Sequence, residues 1–113
     1  VDLRAADLPR DRFVVGLPDG HVEFRSLRLG GFGVLGVSAE VVSAYADVAR
    51  QANGAELSIV AGCMGDVPGY APTARMLAQG GYEVDGFCAA FGVESVAPGV
   101  EAALREGLAA VAT

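Results

Sequence analysis

From His21 to Leu29 the chain runs His-Val-Glu-Phe-Arg-Ser-Leu-Arg-Leu, polar and apolar in turn. That period of two predicts a strand with one buried face, Val22 and Phe24 on its inner side. The polar pair Arg25-Ser26 interrupts the alternation, and a slip there would bring Leu27 and Leu29 to the same inner side. Ahead of this strand lies a short β-type run, Phe13-Val14-Val15. Leu17-Pro18-Asp19-Gly20 joins the two as a turn, Pro fixing φ and Asp-Gly tolerating positive φ. Gly30-Gly31 is a second turn, and Phe32 to Val37 is a more continuously apolar strand. The first third of the chain therefore reads as an antiparallel meander, preceded by an irregular, polar lead-in over residues 1–11.

After the meander the period lengthens. Ser38 is an expected N-cap, and Ala39 to Gln51 has helical spacing with Val41, Tyr45 and Val48 on one stripe. Asn53-Gly54 stops that helix. Glu56 to Ala61 is apolar again and is expected to lie parallel to Phe32–Val37 through a right-handed crossover. Thr73 begins a short helix ending near Gln79, and Gly80-Gly81 breaks it. Phe87 to Val93 is apolar and small without a clear period. Pro98 suits the first turn of a final helix striped by Val100, Leu104, Leu108 and Val111. The fold class is thus α/β: a mixed sheet with antiparallel lead-in strands, one parallel βαβ crossover and a C-terminal helix, all in a single domain over residues 1–113.

The stretch from Leu57 to Val84 is where chemistry is expected. A strand of apolar type opens into a Gly- and Pro-punctuated loop carrying Asp66, Tyr70, Tyr82 and Glu83, and such loops at strand ends hold the ligand sites of many α/β proteins. Glu40 follows the earlier parallel strand, so both strand ends open on one edge and Tyr70 and Tyr82 can approach it. His21, the one histidine, reads as a solvated strand residue, and it assembles into no Ser/His/Asp or Cys/His constellation. Gly30-Gly31-Phe32-Gly33 precedes a strand, not a helix, and fails as a dinucleotide fingerprint.

Composition narrows the partners. The chain has 113 residues, net charge −6, 52% hydrophobic residues and 19% charged ones. All eight basic residues are Arg and none forms a stripe, which argues against nucleic acid. Mean hydropathy is +0.41, yet no run approaches the roughly 18 apolar residues of a membrane span. Apolar surface covered by another subunit or by the rest of a longer chain accounts for it better. Cys63 and Cys88 are expected to be two buried thiols rather than a disulfide framework.

The order strand–x-x-Glu–helix, apolar strand, G-Y-A-P-T (Gly69 to Thr73) and G-G-Y-E (Gly80 to Glu83) resembles the neutral/alkaline non-lysosomal ceramidases and their bacterial relatives. The resemblance runs from about Leu27 to Val84. It implies a zinc-dependent amidase acting on a lipid amide, its Zn²⁺ held by two histidines, a glutamate and a tyrosine. Glu40 matches the glutamate and Tyr82 the tyrosine, which makes both metal ligands and Tyr82 catalytic; Tyr70 matches a substrate-binding position on the loop near the pocket. Glu40 follows Ser38-Ala39 where the family carries Pro-Gly, and the two ligand histidines have no counterpart here. The resemblance therefore implies the C-terminal part of a larger catalytic domain, inactive until completed by the histidine-bearing part. The alternatives are a non-catalytic module packing through apolar surface and a zinc amidohydrolase for a smaller amide.

Overall fold

A computed structural model describes residues 12–17, 20–54 and 57–112. The lead-in over 1–11, the Pro18-Asp19 turn residues and Glu56 lie outside them. The expected meander is present: β1 (Arg12–Leu17), β2 (Gly20–Leu29) and β3 (Phe32–Val37) pair antiparallel in sequence. After α1 (Ala44–Ala52), β5 (Leu57–Ala61) pairs parallel with β3, which gives the sheet order β1-β2-β3-β5. A second, two-residue parallel pair joins β4 (Glu40–Val41) to β6 (Tyr70–Ala71). The chain continues through α2 (Ala74–Gln79), a π-turn (Tyr82–Gly86), α3 (Cys88–Phe91) and α4 (Val100–Val111).

Two helices cover one face of the sheet. α4 lies against β1 and β2, while α1 lies against β5 and α4. Val22, Phe24, Leu35 and Val37 from the strands meet Tyr45 and Ala49 from α1, and Leu104, Leu108 and Val111 from α4. Each of the Val, Leu and Phe side chains contributes about 1.5–3 kcal/mol by leaving water. Leu104, Leu108 and Val111 recur at helical spacing, so the stripe in the sequence is the packing face. Gly107 is on that face because Phe24 presses against it: a Cβ there would stand 2.4 Å from the ring.

Helix α2 forms as expected. The Thr73 hydroxyl accepts the Met76 N–H at 3.2 Å, and Gly80 at φ 74° ends the helix.

Two expectations are corrected. The first concerns Ser38. Its hydroxyl accepts the Glu23 N–H at 2.7 Å and its own N–H donates to Glu23 O at 2.9 Å, so Ser38 prolongs the β2–β3 ladder instead of capping a helix. The next residues are claimed by the loop after β5. Glu40 N–H donates to Gly69 O and Cys63 N–H to Ala39 O, both at 2.9 Å, and these bonds hold 39–41 extended. α1 therefore starts five residues later than expected, with Ser43 at its N-cap.

The second concerns Leu27 and Leu29. The β2–β3 register runs unbroken from Phe24↔Val37 to Leu29↔Phe32, so no slip occurs. Leu27 and Leu29 stay on the face opposite Val22 and Phe24, away from the helices, and Leu29 is 62% exposed.

Candidate functional site

The parallel pairing of β4 with β6 places Glu40 directly beside Tyr70. Glu40 comes to this position from the end of β3, Tyr70 from the far end of the loop that follows β5. The Tyr70 hydroxyl donates a hydrogen bond to the Glu40 carboxylate. That bond is the main reason its pKa is pushed up to about 12; desolvation and the negative charges of Glu40, Tyr82 and Glu83 add to it. Tyr82 stands edge-on to Tyr70, ring centroids 5.6 Å apart at 84°. Beneath Tyr70, the buried Phe87 lies with its centroid 5.3 Å away. Three of the residues singled out in the sequence, Glu40, Tyr70 and Tyr82, thus form one cluster, with Glu83 at its margin.

The glycines of G-Y-A-P-T and G-G-Y-E shape this cluster. A Cβ on Gly69 would lie 2.7 Å from the Phe87 ring, so only glycine lets the Tyr70 strand settle onto Phe87. Gly80 and Gly81, at φ 74° and 113°, turn the chain out of α2. Gly81 O then accepts N–H groups from Val84, Asp85 and Gly86 at 3.2, 2.8 and 3.4 Å, and a π-turn results. Single π-turns of this kind are rare and frequent at functional sites. The Tyr82 ring leans over Gly86, where a Cβ would meet it at 2.6 Å, while the side chain stays 55% exposed. From the other side, α1 anchors the loop: the buried Tyr45 hydroxyl donates to Pro72 O at 2.9 Å.

Two open clefts flank the loop. A small one of about 270 Å³ is lined by Glu40, Val42, Ser43, Val60 and Cys63, among others. A larger one of about 800 Å³ lies over β2 and is lined by His21, Glu23, Arg25, Ser38, Met64 and Asp66. Asp66 therefore lines the same cleft as His21, not the one that Glu40 lines. Glu23, Arg25 and Cys63 were not singled out in the sequence as site residues. The polar half of the β2 alternation, His21-Glu23-Arg25, was the available signal for the first two. Both cysteines are free, Cys63 exposed and Cys88 half-buried, so neither is the buried thiol expected.

Zinc favours nitrogen and sulfur donors with a minority of oxygens. Among the described residues no group of three His, Cys, Asp or Glu side chains can hold a metal ion. Glu40 and Tyr82 offer two oxygen donors, a partial set, and His21 lies in the other cleft. Among the described residues no helix is long and apolar enough to cross a membrane. Compared with protein-family models, curated proteins and solved structures, the chain matches none.

Proposed function

We propose that this chain supplies the carboxylate and phenol side of a zinc-dependent amidase site of the ceramidase kind, with histidine ligands from outside its 113 residues. The observation that carries the reading is the cluster of Glu40, Tyr70 and Tyr82. Of three residues separated by 30 and 12 positions, each named by its motif, Tyr70 pairs with Glu40 in the β4–β6 register and meets the Tyr82 ring edge-on from the π-turn. Glu40 and Tyr82 would hold the metal, and Tyr70 would orient the Glu40 carboxylate through its hydroxyl. When bound, Zn²⁺ supplies Lewis acidity that polarises an amide carbonyl and acidifies water. The exposure of Tyr82 leaves its hydroxyl within reach of a ligand or a substrate arriving from solvent.

The test is made on the product of the whole gene. Metal content is measured, followed by hydrolysis of ceramide and of a short-chain N-acyl amine. The reading expects about one zinc per chain, with E40Q and Y82F each losing most of the metal and the activity. A preference for the short amide would point to the small-amide alternative on the same scaffold. Zinc-free protein that leaves both amides intact would end the proposal.

A further inference from the structure

On the sheet face opposite the helices the Met64 side chain lies over Gly36, and beyond it the register lays six apolar side chains in two rows with no helix over them among the described residues. Leu29, Phe32 and Leu57 are partners across β2, β3 and β5, and so are Leu27, Val34 and Ile59. Leu29, Leu57 and Ile59 are 62%, 65% and 49% exposed, the other three half-buried. Together these six side chains expose on the order of 400 Å² of contiguous apolar surface, the size of the largest patch on a typical soluble protein and one that is often functional.

We propose that this face is the contact between two copies of the chain, related by a two-fold axis and packed sheet on sheet. The patch has the properties an isologous contact needs. It is a regular grid of aliphatic and aromatic groups with no charged residue in either row, so it complements itself. At its border Arg25 bonds to Glu23 on the same strand, which leaves that edge close to neutral. Two chains of net charge −6 can meet there without placing like charges in contact. Pairing the face with itself would remove on the order of 1,000 Å², about the minimum for a specific interface. An interface of that size lies at the weak, transient end of specific contacts, so the association is reversible. Sheets packed this way keep their strands about 30° apart and about 10 Å from face to face, which two rows of side chains from each copy fill. The inference is independent of the zinc proposal, because Glu40 and Tyr82 are not among the residues of this face.

Sedimentation of the full chain from about 1 to about 300 μM tests it. A monomer–dimer equilibrium is expected, abolished in the double variant Leu29→Glu with Leu57→Glu. Both side chains are more than half exposed, so that variant should keep its circular dichroism and melting temperature. Single variants carrying Leu29→Glu and Leu29→Lys, monomeric apart, should associate when mixed. A wild-type monomer throughout the range would overturn the proposal, as would a dimer that survives the double substitution.

Discussion

Glu40 and Tyr70 are register partners in a two-residue parallel pair, and the Tyr70 hydroxyl donates to the Glu40 carboxylate. That hydrogen bond, which the phenolate could not donate, is the main reason the Tyr70 pKa rises to about 12, and desolvation and the negative charge of Glu40 add to it. Replacing Glu40 by Gln removes both the charge and the charged acceptor. In E40Q, phenolate absorbance should therefore rise at lower pH than in the wild type. In Y70F one late-titrating group should disappear, and because the ring keeps its packing on Phe87 and Tyr82 the melting temperature should scarcely move. An unchanged phenolate titration in E40Q would separate the two residues.

Gly107 offers a test in which two effects compete. In an exposed helix interior, Gly→Ala gains about 1 kcal/mol from propensity. Here the new methyl would stand 2.4 Å from the Phe24 ring, and Phe24 is fully buried between sheet and helix. Overpacking of that kind costs about 1–3 kcal/mol. The clash should win, so G107A is expected to lower the urea midpoint. A raised midpoint would mean that α4 can slide away from the sheet.

Gly69 sets the seat of the candidate site. An alanine there would drive its Cβ to 2.7 Å from Phe87, the ring on which Tyr70 rests. G69A should lower stability by about 1–3 kcal/mol. It should also displace Tyr70 from Glu40, so phenolate titration would shift downward as in E40Q. Stability loss without that shift would show that the β4–β6 pair holds without the close packing beneath it.

Much of this architecture is legible from local signals. The Thr73 cap with Gly80 at the other end of α2, the Leu104-Leu108-Val111 stripe and the two hairpins follow from residue type and spacing alone. What escaped depends on partners far along the chain. Ser38 before an apolar stretch looks like an N-cap, but Glu23, fifteen residues upstream, takes its hydroxyl. Glu40 looks like a helix-start residue, but Gly69 takes its N–H. A period of two reveals that β2 has two faces, not that the second face carries Leu27 and Leu29 uncovered. The candidate site was legible as a list of residues, and the resemblance named Glu40, Tyr70 and Tyr82 together. Their contact rests on the 40↔70 register and on the π-turn, neither of which has a periodic signature.

Tyr45 ties the helix layer to the loop that bears the site, and its removal should be felt in two ways. Its hydroxyl donates to Pro72 O at 2.9 Å, where Pro72 is itself fully buried. Tyr45→Phe keeps the ring but leaves that carbonyl without its donor, which costs about 1–3 kcal/mol. The second consequence is in the alkaline range. Burial, with the Glu101 charge adding and Arg105 opposing, pushes the Tyr45 phenol from 10.0 up to about 12. The folded state thus holds this proton more tightly than the unfolded chain does. The stability so contributed is complete below pH 10, where both states keep the proton, and is lost as pH rises from 10 to about 12. Wild-type protein should therefore lose stability across that window, Tyr45 and Tyr70 both taking part. Y45F should start lower at neutral pH and fall less steeply above pH 10, so that the two curves converge. Parallel curves in chemical denaturation at pH 8, 10 and 11 would show that the Tyr45 proton is not coupled to folding.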